Sequence, residues 1–274
     1  MSNEFYQACR NYGATHIFVP TYPQQENGAG TVLDLITGTS AGLGENGAGP
    51  VSIPNKYVTG SKYASFGGDP TDYMDGDNDY VDLGDATFVN EMDSDEGGGK
   101  GFSFSFWVDH HDQTLQNVDA WFGTQTTGQA TNPVFTVLLT GVSGTTGDIR
   151  VIVFDDASNK RDWQTATAQE FSGGVHMIAG VIDWEAQTIV IYFDGVDVGT
   201  MNVVASVGTL GDVTGNVLNG YVGGRNKNGA LNIPIKCGFG PIVWFGGTIL
   251  SATQHATLYR LAKMPEMSDS VHKM

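Results

Sequence analysis

The sequence predicts an all-β sandwich, and three observations point there. Glycine is abundant at 38 residues, charged residues make up only 16% of the chain, and aromatic residues reach 11%, a composition that suits short strands joined by tight turns. Runs of β-branched and aromatic residues recur between Gly, Asp, Asn and Ser punctuation. At 274 residues the chain can bury one sizeable core, so one main domain is expected.

In GFSFSFWV (101–108), Phe102, Phe104 and Phe106 fall on one face, and Ser103, Ser105 and Trp107 on the other. Both faces of that strand are expected to be buried. NPVFTVLLT (132–140), DIRVIVF (148–154) and VHMIAGVI (175–182) follow as further strands. TIVIYFDGVDVGT (188–200) places two apolar runs around Asp194-Gly195, a dipeptide that accepts the positive φ values of a two-residue hairpin turn. GYVGG and KCGFGPIVWFGGTIL read as glycine-punctuated strands. One helix is expected near the end, where Ser251 and Gln254 have capping-box spacing ahead of Ala256, Leu258, Leu261 and Ala262. Residues 1–13 read as an N-terminal arm, 14–262 as the domain and 263–274 as a tail that orders against a partner.

The net charge of −17 and pI near 4.4 would repel a phosphate backbone, so nucleic acid is excluded as a partner. Cys9 and Cys237 are too few for a disulfide framework. No stretch approaches a membrane span, and MSNEFYQACRNYG lacks the basic and apolar regions of a signal peptide. The expectation is synthesis in a cytoplasm without membrane insertion.

In order, these segments resemble the laminin-G/concanavalin-A-like (LamG-like) jelly roll of bacterial and phage surface or virion proteins. The resemblance rests on YMDGDNDYVDLGD (73–85), FSFSFWV (102–108), VHMIAGVIDWEAQTIVIYFDGVDVGT (175–200), YVGGRNKNG (221–229) and GPIVWFGGTILSATQHATLY (240–259), and it spans roughly residues 14–262. It implies a jelly-roll β-sandwich of two antiparallel sheets with one short C-terminal helix.

Several clusters are candidates for chemistry. Asp75, Asp77 and Asp79 offer hard oxygens that could begin a calcium shell, but Tyr80 stands where an EF-hand needs glycine and the bidentate Glu is missing; a solvated acidic loop is the competing reading. EMDSDE (91–96) is similar to the catalytic strand of laminarinase-type and agarase-type glycoside hydrolases, whose retaining members need two carboxylates about 5 Å apart. Glu91 and Glu96 have odd separation and would need a bulge to share a face. GTSAG (38–42) lacks the following helix of a nucleophile elbow. The adjacent His110 and His111 point apart in an extended chain, which argues against one shared metal. Trp121, Trp163, Trp184 and Tyr73 could stack on sugar rings, with core packing as the alternative.

No catalytic constellation stands out, so the expectation is a non-enzymatic virion part. A capsid decoration or cement protein, or a tail-associated piece, would dock through the terminal arms onto other virion proteins, commonly as a homotrimer. The alternatives are a carbohydrate-binding adhesin or module that meets a host-surface glycan, and a glycoside hydrolase using Glu91 and Glu96.

Overall fold

The computed structural model describes residues 3–20, 31–38, 40–44, 50–54, 62–66, 80–82, 101–110, 115, 119–125, 133–155, 159–172, 175–202, 208–209, 220–227, 230–232 and 237–263. Its elements run α1 (Asn3–Asn11), β1 (His16–Pro20), β2 (Thr31–Asp34), β3 (Ser40–Gly44), β4 (Pro50–Pro54), β5 (Lys62–Phe66), β6 (Tyr80–Asp82), β7 (Gly101–Asp109), β8 (Asp119–Gln125), β9 (Pro133–Ser143) and β10 (Thr146–Phe154). They continue as β11 (Lys160–Thr165), β12 (Gln169–Glu170), β13 (Val175–Asp183), β14 (Thr188–Phe193), β15 (Val196–Asp197), β16 (Thr200–Asn202), β17 (Tyr221–Val222), β18 (Arg225–Lys227), β19 (Ala230–Asn232), β20 (Gly238–Phe245) and α2 (Ala252–Lys263).

The strands form a jelly-roll β-sandwich of two antiparallel layers. The first layer runs β3-β2-β1-β20-β7-β13-β14-β15. The second runs β6-β17-β8-β9-β10-β11-β16. β3 also pairs with β6, and at the opposite edge the chain steps from β15 to β16, so both sides of the sandwich are stitched.

Strict alternation explains the core. Phe102, Phe104 and Phe106 of β7, Ile178 and Ile182 of β13 and Trp244 of β20 face the second layer's Trp121, Phe135, Val137, Ile149 and Val151. The intervening residues Trp107, Met177, Ala179, Val181, Val243 and Phe245 form a second apolar cluster on the other face of the first layer. That face is covered by the two helices, which contribute Phe5 and Cys9 from α1 and Leu258 and Ala262 from α2. Each large side chain buried this way stabilises the fold by about 2 kcal/mol. The expected double burial of β7 therefore has a concrete cause in helices on one side and a sheet on the other. Ser103, on the helix side, donates to the Thr248 carbonyl at 2.9 Å and accepts the Leu250 N–H at 2.9 Å, which fixes the approach to α2.

Two glycines are required by geometry. Asp194 and Gly195 adopt φ of 51° and 79°, and the turn pairs Phe193 with Val196 as the sequence predicts. A Cβ on Gly195 would lie 2.9 Å from Ala256 Cα, so this turn is also where α2 rests. In β20 the register with β7 shifts between Phe239 and Ile242, and a Cβ on Gly240 would lie 2.9 Å from Trp107 Cβ. The Gly240-Pro241 bulge makes room for that indole.

The predicted cap of α2 forms as expected. The Ser251 N–H donates to Gln254 Oε1 at 2.8 Å and the Gln254 N–H donates to Ser251 Oγ at 3.3 Å. The N-terminus differs from its expectation as an arm. Residues 3–11 are a helix docked on the sheet, with Phe5 edge-on to Trp107 at 5.2 Å between ring centroids. No helix among the described residues is long and apolar enough to cross a membrane.

Candidate functional site

The outer face of the second layer carries, beside a small buried apolar cluster of Ala120, Leu138 and Ile152, a polar array that alternation places there. β9 and β10 give Phe135, Val137, Leu139, Ile149, Val151 and Val153 to the core, which leaves Thr136, Leu138, Asp148, Arg150 and Ile152 on the opposite side. The register sets Leu138 beside Arg150 and Arg150 beside Gln164, with Ile152 beside Asp162. Met201 of β16 extends the row of Gln164 and is 45% exposed.

Asp162 organises this face. Its carboxylate is inaccessible to solvent and accepts from Arg150 through Nε and Nη2, each at 2.6 Å, and from Lys160 Nζ at 2.6 Å. Burial alone would raise its pKa, but the hydrogen bonds and charges of Arg150 and Lys160 outweigh that and hold it below the ordinary carboxylate range. Arg150 moves the opposite way, its guanidinium held more firmly protonated by the Asp162 hydrogen bonds. Two cations share one carboxylate, and Arg150 and Lys160 keep 24% and 18% of their side chains exposed. The Lys160 ammonium also lies 5.4 Å above the Phe154 ring. Near the end of the same face, Gln164 Nε2 donates to Asp148 Oδ2 at 3.5 Å, and burial raises the Asp148 pKa.

Two His–Asp pairs tie neighbouring strands of the first layer together, β1 to β2 and β13 to β14. His16 Nδ1 donates to Asp34 at 2.7 Å and His176 Nδ1 donates to Asp194 at 2.9 Å. In each pair the carboxylate also accepts the main-chain N–H of the residue after the histidine, Ile17 at 3.0 Å and Met177 at 2.9 Å. The far nitrogen of His176 faces the Ser172 main-chain carbonyl rather than a hydroxyl, so this pair holds strands together and activates no nucleophile.

Of the tryptophans expected to stack on sugars, Trp121 and Trp184 are corrected by their burial, while Trp163 keeps part of its surface exposed. Trp121 has no exposed surface and donates from Nε1 to His110 Nε2 at 3.0 Å inside the core. Trp184 is 7% exposed and edge-on to Phe102. Trp163 is half-buried and packs against the same core. An indole whose faces are occupied by protein has none to offer a pyranose. His110 is likewise a buried core residue, 2% exposed. Tyr73, the acidic trio Asp75, Asp77 and Asp79 proposed for calcium, and the pair Glu91 and Glu96 lie outside the described residues. Among the described residues no group of three His, Cys, Asp or Glu side chains is placed to hold a metal ion. A void of about 10 Å³ between the layers is lined only by apolar side chains, including Phe104, Phe122, Val222 and Trp244, and offers a ligand no polar contact.

The Arg150–Asp162–Lys160 array was not singled out from sequence. Its signal was the alternation of Asp148 and Arg150 with Ile149 and Val151 in DIRVIVF, and the placing of Lys160, Asp162 and Gln164 on one face of KRDWQT.

No protein-family model and no curated protein matches the sequence. Solved structures do resemble the fold. The chain is similar to the NanB sialidase from Streptococcus pneumoniae in complex with 2-[(3-chlorobenzyl)ammonio]ethanesulfonate, with a TM-score of 0.50 at 15% identity over 68% of this chain and 27% of that one. Further matches are the Ruminococcus gnavus IT-sialidase CBM40 bound to alpha2,3 sialyllactose, with a TM-score of 0.45 at 12% identity over 58% of this chain and 83% of that one, and the native heptameric SAP-like pentraxin from Limulus polyphemus, with a TM-score of 0.41 at 15% identity over 59% and 70%. The chain spans about a quarter of the length of the sialidase structures it matches. At these identities the likeness concerns the fold alone, a jelly-roll β-sandwich.

Proposed function

We propose that the chain is a non-catalytic carbohydrate-binding module that presents the outer face of its second layer to a glycan. The observation that carries this reading is the preorganised array on β10 and β11. The buried Asp162 fixes Arg150 and Lys160, so their remaining donors are held on a rigid sheet and little ordering entropy is lost when sugar hydroxyls replace water. Gln164 adds an amide and Met201 an exposed apolar surface beside it, the mix of fixed polar groups and apolar contact that a sugar ring needs. The partial likeness of the fold to a sialidase chain agrees with this reading.

The test is a glycan array followed by calorimetry on the best hits, with wild type and Arg150→Ala. Saturable binding by the wild type and a loss of tenfold or more in the variant, with unchanged circular dichroism, is the expected result. Flat curves across the array, or equal binding by the variant, would overturn the proposal. A role in particle assembly relied on two terminal docking arms. The first of these is the docked helix α1, and the second, beyond residue 263, lies outside the described residues.

A further inference from the structure

His255 sits where a charge cannot be accommodated. It lies in the first turn of α2 and has no solvent exposure. Its ring stacks on Tyr192 of β14, with centroids 4.3 Å apart and planes 25° apart. Neither ring nitrogen has a hydrogen-bond partner, which is unusual for a buried polar group and costs stability even in the neutral form. Its surroundings are apolar, with Leu250, Leu258, Ala262 and Phe5 in the same layer.

The titratable and charged groups on the elements around it are few. α1 carries Glu4, Tyr6, Cys9 and Arg10; β13 carries His176 and Asp183; β14 carries Tyr192; the hairpin carries Asp194 and Asp197; and α2 itself carries Tyr259, Arg260 and Lys263. Asp194 is engaged with His176 and the Met177 N–H. None of these groups bonds to the His255 ring, and the positive end of the α2 dipole adds a further penalty to an imidazolium there.

We propose that His255 is an acid-sensitive latch: taking up a proton drives α2 off the first layer while the sandwich beneath stays paired. The β-strand ladders do not run through α2, whereas its hold on the layer comes from His255, Leu258, Ala262 and the contact at Gly195. Release bares the Tyr192 ring and part of the apolar face that α2 shares with α1, coupling acidity to exposure of a sticky surface. Burial lowers the His255 pKa from 6.5 to about 4. The docked state therefore keeps its full stability above 6.5 and loses it as the pH falls from there towards 4, and the open population rises about twenty-fold between pH 7 and pH 5.

Two measurements on the full chain test the latch. Hydrogen exchange from pH 7 to pH 4 is expected to show residues 252–263 losing protection at a pH where 101–109 and 175–183 keep theirs, and His255→Phe is expected to abolish that early loss. NMR titration of the histidine Cε1–H signals in the wild type is expected to show the docked His255 ring taking up its proton below pH 5. Helix protection that is unchanged to pH 4, helix and strands lost together, an equal loss in the variant, or a ring that titrates near 6.5 while the helix stays docked would each overturn the latch. If the variant does not fold, the wild-type titration and exchange decide alone.

Discussion

Asp34 ends β2 with no solvent contact and four donors on its two oxygens: the Ile17 and Ile36 N–H groups at 3.0 Å each, the Thr37 hydroxyl at 2.6 Å and His16 Nδ1 at 2.7 Å. Burial alone would raise its pKa, yet these bonds bring it from 3.8 down to about 2. A depressed carboxylate stabilises the fold fully above its unfolded value, and that contribution, on the order of 2 kcal/mol, is lost as the pH falls through 3.8 towards 2. Replacing Asp34 with Ala strands two buried N–H groups and is expected to cost about 3 kcal/mol at pH 7. Urea midpoints measured from pH 7 to pH 2 check both statements, since the variant should also lose the steep acid limb. None of this was legible in VLDLITG, because the value of the carboxylate depends on donors that arrive from β1. The tryptophans teach the same lesson. Residue type says that Trp121 and Trp184 carry large apolar faces, but only the register of β8 and the packing of Phe102 determine that protein occupies them.

At the level of elements, local signals were most informative where they were self-contained. The Ser251/Gln254 box closes on itself within four residues, and Asp194-Gly195 supplies its own turn geometry. Both could therefore be read without the fold. Ser251→Ala is expected to remove about 1 kcal/mol from α2, seen as faster amide exchange across 252–263 with the strands unaffected. α1 escaped notice because nine residues are too few to hold a helix in water. Its clue was Phe5 and Cys9 four apart, a stripe that becomes meaningful only when Trp107 is there to receive it. The Arg150–Asp162–Lys160 array was hidden for a related reason. The partners lie on neighbouring strands, and their meeting is a product of register rather than of spacing along the chain.

Across the whole molecule, the order of strands in the first layer has a kinetic meaning. β20 lies between β1 and β7, pairing Trp244 with His16 on one side and with Phe104 on the other. The opening strand thus has no route to the centre of its sheet until residues 238–245 arrive, more than two hundred positions later in the chain. Long-range closures of this kind slow folding to roughly milliseconds to seconds. A chain halted at residue 237 is expected to lack the near-ultraviolet dichroism of packed tryptophans, and restoring residues 238–263 should recover it. Synthesis from the N-terminus therefore delivers β7, β13 and β14 as an incomplete sheet with an unpaired edge. Until residues 238–245 are made, the nascent chain depends on that edge being shielded from its neighbours on the same message, and β20 is the strand that removes the hazard.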